Sequence, residues 1–343
     1  MTAARRLPFC LLALTFFALP ACRVTNLPLW GPLGKPPADA CEVERVKDVA
    51  YLDGTNADRR RHQLDLFLPK GEKDYPVVIL VHGGAWMTGD NRCCGLYTSV
   101  GEYLASQGIG AVLPNYRLSP HVKHPEHIKD LARAFAWTKK HIAKRGGRAD
   151  QIFLVGHSAG GHLVALLATD EQYLKAEGCT SDDIRGVIGI SGVYKIPPGT
   201  TEVALFGSGP NGVRLDEMTP LRGKSSSLPA TLPQGERGGL PVRVNVFGPV
   251  FGNDPKERLA ASPVAHIRPG LPPFLLLNAE RDLPLLPGMA QEMHQALCNI
   301  GSPSRLLKIE GRNHNSILFQ AAEPGDPVAR AIVDFIREQI ATR

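Results

Sequence analysis

The chain has 343 residues, 43% of them hydrophobic and 21% charged, and its formal net charge is +6. These values are ordinary for a globular protein and exclude a disordered chain, a collagen-like chain and a polytopic membrane protein. Aromatic residues form only 6% of the chain, and basic and acidic residues interleave, so no nucleic-acid partner is predicted.

The first 22 residues have the features of a bacterial export signal. Arg5 and Arg6 precede an apolar stretch over residues 7–21, and its roughly 14 apolar residues are too few to span a bilayer as a helix. Cys22 follows Leu-Pro-Ala, which resembles a lipobox apart from its proline, so acylation of Cys22 and plain signal cleavage both stay open. We therefore predict an exported protein that is periplasmic, secreted or anchored to a bacterial membrane through a lipidated Cys22.

Three regions follow the signal. Residues 23–42 are rich in proline, show no hydrophobic period and are predicted to be a linker. Residues 43–343 are predicted to form one domain. Within that domain, Pro, Gly and Ser make up 19 of the 45 residues at 197–241, and an irregular segment of this length is typical of a lid-like insertion.

The pattern of apolar residues predicts a doubly wound α/β sheet. Apolar and polar residues alternate, as in a half-buried antiparallel pair, at 45–52 and 62–68. Continuous apolar runs are typical of parallel strands buried on both faces, and they lie at 77–81, 109–113, 152–155, 187–190 and 274–277, with a last strand at 304–309. Helices are predicted at 96–107, 126–144, 159–169, 286–299 and 327–342. This alternation predicts a mostly parallel sheet with helices on both faces.

A Gly-x-Ser-x-Gly sequence at residues 156–160 lies between a predicted strand and a predicted helix. Glycines at both flanks permit a sharp strand-to-helix turn, because a Cβ at either position would clash, and the turn lifts the Ser158 hydroxyl above the sheet. The N-terminus of the helix then lies beneath any oxyanion that forms, and the Ala159 amide is a candidate donor to it. Ser158 is therefore predicted to be a nucleophile.

The sequence His-Gly-Gly-Ala-Trp at residues 82–86 follows another predicted strand. Glycines at this place let backbone N–H groups turn towards the nucleophile and form an oxyanion hole. The position of this segment, one βαβ unit before Ser158, favours an oxyanion hole over an ordinary glycine turn.

Two further residues are candidates for the general base and its partner. Asp282 follows the predicted strand 274–277, and His314 follows the predicted strand 304–309. An open α/β sheet places its ligand crevice at such strand ends, and the chain order Ser, Asp, His is the one expected for this sheet. His314 would take the Ser158 proton and Asp282 would hold the His314 tautomer, with Glu280 as the rival acid.

Six short motifs together resemble those of α/β-hydrolase-fold esterases. They are HGGAW (82–86), NYRLSP (115–120), GHSAGGH (156–162), SGVY (191–194), ERD (280–282) and NHNSI (313–317). Within that fold, the chain is similar to the branch that holds acetyl-xylan and feruloyl esterases, kynurenine formamidases and hormone-sensitive-lipase-like esterases. The resemblance implies that Gly84 and Ala85 supply amides of the oxyanion hole, with Gly83 as a further candidate. The insertion at 197–241 departs from the family pattern.

The sequence therefore predicts a serine carboxylesterase that acts through an acyl-enzyme. Because export brings the protein to its environment, the expected substrates are short-chain acyl esters or acetyl and feruloyl esters linked to plant polysaccharides. The alternatives are a kynurenine formamidase-like amidase and a non-catalytic hydrolase-fold protein that binds at the cell surface. No cofactor and no metal are predicted, since none of the seven cysteines lies in a zinc-type spacing.

Overall fold

The computed structural model describes residues 40–198, 203–205, 219–220, 242–244, 246–323 and 325–342. The predicted signal peptide, nearly all of the predicted linker and most of the insertion at 197–241 lie outside these residues. Within those ranges, no helix has the combination of length and hydrophobicity that a membrane crossing requires.

An eight-stranded sheet forms the centre of the fold. In chain order, the strands of the described residues are β1 Val43–Ala50, β2 Gln63–Pro69, β3 Tyr75–Val81, β4 Gly110–Pro114, β5 Gly147–His157, β6 Ile184–Ile190, β7 Val203–Leu205, β8 Thr219–Pro220, β9 Val242–Val244, β10 Phe274–Arg281 and β11 Ser304–Asn313. The large sheet has the order β1-β2-β4-β3-β5-β6-β10-β11, and a second sheet has the order β8-β7-β9. In the large sheet β2 pairs antiparallel with β1 and β4, and the remaining pairs are parallel. The predicted doubly wound, mostly parallel sheet is confirmed.

Helices flank the large sheet on both faces. Those of the described residues are α1 Leu96–Ser106, α2 Glu126–His141, α3 Ala159–Thr169, α4 Glu171–Ala176, α5 Gly248–Phe251, α6 Pro255–Ala260, α7 Leu286–Asn299, α8 Ser316–Phe319 and α9 Pro327–Ala341. The sequence predicts the five long helices, whose bounds differ from the prediction by three residues at most. It does not predict α4, α5, α6 and α8, because a helix of four to six residues is too short to show a helical period.

Two apolar cores lie on opposite faces of the sheet. Successive residues of a strand point to opposite faces, and β3 accordingly gives Val77, Ile79 and Val81 to one core and Val78 and Leu80 to the other. The first core also contains apolar residues of α2, α3 and α7, and the second contains those of α1 and α9. Burial on both faces explains why these strands are continuous apolar runs in the sequence.

The parallel strands end at one edge of the sheet, and this edge collects the polar residues of the six motifs. His82 follows β3, Ser158 follows β5, and Ser191 follows β6. Asp282 follows β10 and His314 follows β11. The topology therefore brings residues that are more than 200 positions apart in the chain to one crevice.

Candidate active site

Ser158 lies in a strained turn between β5 and α3. Its φ of 55° and ψ of −118° place it in a region of backbone space that is uncommon for residues other than glycine. The Ser158 amide donates to the Ile190 carbonyl over 2.9 Å, which ties the turn to the end of β6. A Cβ on Gly156 would lie 2.3 Å from the Gly160 carbonyl oxygen, and one on Gly160 would lie 2.2 Å from the Val81 carbonyl oxygen. Both glycines are therefore required by close backbone approach, as the sequence pattern predicts.

The structure brings Ser158, His314 and Asp282 into one hydrogen-bonded chain. His314 Nε2 lies 3.0 Å from Ser158 Oγ, and His314 Nδ1 lies 2.8 Å from Asp282 Oδ1. A carboxylate only accepts hydrogen bonds, so Nδ1 carries the ring proton and Nε2 of the neutral ring is left to accept the Ser158 proton. This arrangement is able to generate a nucleophilic alkoxide at Ser158.

Asp282 is held as an anion by a set of donors. Ser191 Oγ donates to Asp282 Oδ2 over 2.5 Å, the Ala279 amide donates to the same oxygen over 3.1 Å, and the Leu283 amide donates to Oδ1 over 2.9 Å. Burial raises the pKa of the Asp282 carboxyl, but the hydrogen bonds from His314, Ser191 and Leu283 outweigh burial and hold the pKa below its ordinary value. The carboxylate that faces His314 is thus ionised at neutral pH.

Glu280, the rival acid, lies away from this chain. Its side chain is exposed, and its Oε2 accepts a 2.8 Å hydrogen bond from the Gly311 amide. Glu280 therefore contacts the backbone near the end of β11, and the carboxylate that contacts His314 belongs to Asp282.

The segment after β3 has three consecutive residues with positive φ: Gly84 at 111°, Ala85 at 51° and Trp86 at 59°. In the part of the chain that the structure describes, the amides of Gly84, Ala85 and Ala159 donate to no protein acceptor, so all three are free for a ligand. The Gly83 amide instead donates to the Tyr97 hydroxyl over 2.7 Å. Of the four predicted oxyanion donors, Gly84, Ala85 and Ala159 therefore keep an available N–H, and Gly83 does not.

Trp86 anchors this strained segment in the core. The side chain is 2% exposed, and its Nε1–H donates to His162 Nδ1 over 3.2 Å. His162 Nε2–H in turn donates to the Ala261 carbonyl over 2.7 Å, and burial lowers the pKa of His162 to about 3. The Trp86 ring also contacts Phe251 edge-on at a centroid distance of 4.9 Å. The neutral His162 ring makes a hydrogen bond through each of its nitrogens and thus fixes the side chain of Trp86, which directly follows Ala85.

Several residues of the site have no signal that would assign them from the sequence. Ser191, Tyr97 and His157 lie beside the predicted residues, but their types recur throughout the chain. The motif SGVY contains Ser191 and marks its segment, although not its contact with Asp282. Among the described residues, no group of three or more His, Cys, Asp or Glu side chains could hold a metal ion.

A buried arginine joins the start of the Gly/Pro/Ser-rich insertion to the chain that follows it. The Arg258 side chain is fully buried, and its guanidinium donates to the Gly252 carbonyl over 2.7 Å and to the Pro197 carbonyl over 2.8 Å. Pro197 is the first residue of the insertion at 197–241, and Gly252 lies after its end. The predicted lid itself lies largely outside the described residues.

Comparison with known proteins confirms the resemblance. The BD-FAE family model matches residues 64–196. Esterase LipC of Mycobacterium tuberculosis is 30% identical over 78% of this chain and 59% of its own length, and isoprenylcysteine alpha-carbonyl methylesterase ICME of Arabidopsis thaliana is 27% identical over 77% and 56%. This chain therefore spans less than two thirds of the length of these relatives.

Solved structures show the same fold at lower identity. A truncated carbohydrate esterase from gut microbiota superposes with a TM-score of 0.64 at 18% identity, and covers 89% of this chain and 98% of its own. Esterase B from Lactobacillus rhamnosis superposes with a TM-score of 0.63 at 20% identity, with 90% and 88% covered. The chain has the α/β-hydrolase fold, as predicted.

Proposed function

We propose that this α/β-hydrolase-fold protein is a serine carboxylesterase. The observation that carries the proposal is the hydrogen-bonded chain Ser158–His314–Asp282 beside the unpaired amides of Gly84, Ala85 and Ala159. A nucleophile, a base of the correct tautomer and donors for an oxyanion are the three parts that acyl transfer needs.

In the proposed reaction, Ser158 Oγ attacks the ester carbonyl carbon while its proton passes to His314 Nε2. The tetrahedral oxyanion accepts hydrogen bonds from the amides of Gly84, Ala85 and Ala159, close to the N-terminus of α3. His314 then donates its proton to the leaving alcohol, and the acyl group stays on Ser158. A water molecule deprotonated by His314 attacks this acyl-enzyme, which releases the acid and restores the Ser158 hydroxyl. Asp282 stays ionised and stabilises the imidazolium in both steps.

The proposed substrates are short-chain acyl esters or acetyl and feruloyl esters linked to plant polysaccharides. The match to the BD-FAE model and the esterase relatives support the hydrolysis of a small ester. The esters of plant polysaccharides are proposed on the ground of the predicted export alone. The basic and apolar N-terminal segment supports a further proposal, that the protein is exported and that Cys22 anchors it to a membrane when acylated.

The test compares the protein with its Ser158→Ala variant on p-nitrophenyl acetate, butyrate and octanoate. We expect hydrolysis by the wild type that falls by at least about 10³-fold in the variant, with an unchanged thermal midpoint. Near-background rates in both proteins on all three esters would contradict the esterase proposal and favour an amidase or a non-catalytic binding protein. A formamide substrate cleaved by the wild type would separate those two alternatives.

A further inference from the structure

A second series of hydrogen bonds runs behind the Ser158–His314–Asp282 chain. The Gly83 amide donates to Tyr97 Oη over 2.7 Å, and Tyr97 Oη lies 3.4 Å from His157 Nδ1. His157 Nε2 lies 2.8 Å from the His314 carbonyl oxygen, and the two imidazole rings are 4.8 Å apart. This series therefore starts in residues 82–86, which carry the oxyanion donors Gly84 and Ala85 and are called the oxyanion segment below. It ends on the backbone of the candidate base His314.

The chemistry of the end groups sets the direction of every bond in this series. A carbonyl oxygen only accepts, so His157 Nε2 carries the proton and His157 Nδ1 of the neutral ring accepts from the Tyr97 hydroxyl. Tyr97 Oη then accepts from the Gly83 amide through its lone pair. Every polar atom of the series has a partner of the correct kind, which is expected of a network that specifies one geometry.

His157 is neutral in this environment. The side chain is 6% exposed, and burial and the neighbouring His314 lower its pKa to about 3. The groups that face it are Tyr97, the Gly83 segment, Asp282 and His314, and only Asp282 among them is an anion. Both ring nitrogens are already engaged, Nε2 with the His314 carbonyl and Nδ1 with the Tyr97 hydroxyl. Neither nitrogen is left to exchange a proton with Ser158, so any contribution of His157 is one of position.

We propose that Tyr97 and His157 are positioning residues, which hold the oxyanion segment and the His314 backbone at a fixed distance from each other across the Ser158 turn. The inference rests on the proposed function. Close packing at the middle of the series supports it, because a Cβ on Gly83 would lie 2.9 Å from the His157 carbonyl oxygen and 3.1 Å from Ser158 Cβ. The Ser158 turn is thus enclosed by the two segments that the series joins.

Two pairs of substitutions distinguish a loss of the hydrogen bonds from a loss of side-chain packing. Tyr97→Phe removes the shared hydroxyl and keeps the ring. His157→Phe keeps the ring volume and removes both nitrogens. His157→Gln keeps a donor near the place of Nε2, whereas His157→Asn keeps an acceptor near the place of Nδ1. Only the Gln variant is able to preserve the bond to the His314 carbonyl.

The first measurement is the rate at which a fluorophosphonate labels Ser158, because this reaction uses the nucleophile, base and oxyanion donors but no particular ester. Ester turnover on p-nitrophenyl acetate is the second measurement. We expect Tyr97→Phe and His157→Phe to lose about 10- to 100-fold in labelling rate and kcat, with KM within about threefold. We expect His157→Gln to recover to within about fivefold of the wild type, and His157→Asn to stay close to His157→Phe.

A third measurement does not depend on catalysis. The ¹⁵N shifts of the His157 ring, assigned by their loss in His157→Gln, should report a neutral ring protonated at Nε2 in the full chain between pH 5 and 8. A ring protonated at Nδ1, or a ring that titrates in this interval, would overturn the inference.

Each of the remaining outcomes tests either this inference or the proposed function. Equal labelling rates in all variants would overturn the inference and leave the proposed function standing, and so would a Gln variant as slow as His157→Phe. A rise in KM at unchanged kcat would assign these residues to substrate binding and would equally overturn it. A wild type that the fluorophosphonate does not label at Ser158 would overturn the proposed function, and the inference with it.

Discussion

Ser191 Oγ donates a 2.5 Å hydrogen bond to Asp282 Oδ2, which joins the residue after β6 to the residue after β10. Asp282 Oδ1 faces His314, so the two carboxylate oxygens have separate tasks. Ser191 orients the carboxylate from its far side. The backbone at Ser191 has a φ of 48°, an uncommon conformation for serine, and its amide donates to the Leu277 carbonyl. The support of Asp282 is therefore built on a strained turn.

Ser191→Ala should lower kcat by about 3- to 30-fold, because it removes a charge-assisted hydrogen bond of about 1.5–3 kcal/mol. It should also raise the pKa of Asp282 towards its ordinary value. A carboxyl whose folded pKa is lowered stabilises the fold above its unfolded pKa, and that stability is lost as the pH falls through the folded pKa. Urea unfolding should therefore show the variant less stable at pH 7, with the difference shrinking below about pH 4. A difference that stays constant with pH would assign Ser191 to packing alone.

The two acidic candidates after β10 are distinguished by a matched pair of amides. Asp282→Asn should lower kcat by about 10³–10⁴-fold, because an amide favours the wrong tautomer of His314. Glu280→Gln should stay within about twofold of the wild type, since Glu280 is exposed and contacts the Gly311 amide. Ester hydrolysis at saturating substrate measures both. The reverse order of effects would move the acid to Glu280.

The strands of the large sheet and the long helices can be predicted from the sequence for a physical reason. Strands such as Val77–Val81 are buried on both faces, so they stand out as apolar runs, and helices such as α2 keep their apolar residues at helical spacing over several turns. The short helices α5 and α6 have four and six residues, too few for a period. Their positions are set by tertiary contacts such as those of Arg258, which a linear pattern does not contain.

The residues of the candidate site also fall into those that the sequence singles out and those that it does not. Ser158, Asp282 and His314 could be singled out because each follows a recognisable strand and the candidate nucleophile is flanked by glycines that the turn requires, and the structure brings the three together. Ser191, Tyr97 and His157 are missed as partners because a hydrogen bond between residues such as Tyr97 and His157, 60 positions apart, leaves no mark in the sequence. The same holds for Gly83, whose amide is a candidate oxyanion donor until the Tyr97 hydroxyl is located beside it.

Trp86 offers a test of the oxyanion segment that spares its backbone. Trp86→Phe removes the indole N–H that donates to His162 and part of the contact with Phe251. Because Ala85 and Trp86 both have positive φ, a looser anchor should let the segment relax and should lower kcat by about 10-fold. Trp137→Phe is the matched control, since Trp137 lies on α2 and stacks on His141. Equal rates in the two variants would show that the segment holds its shape without Trp86.

The glycines of the Ser158 turn should be required for folding as well as for activity. A Cβ on Gly160 would lie 2.2 Å from the Val81 carbonyl oxygen, and backbone on both sides leaves no flexible side chain to move. Gly160→Ala should therefore destabilise the protein by at least about 3 kcal/mol, measured as a fall in the urea midpoint.

Gly288→Ala is the control, because its Cβ would have no neighbour within 4 Å in α7. That variant should be neutral or stabilised by up to about 1 kcal/mol, since alanine has the higher helix propensity. Similar midpoints for the two variants would show that β3 and α3 are able to move apart, and would remove the steric reason for glycine at 160.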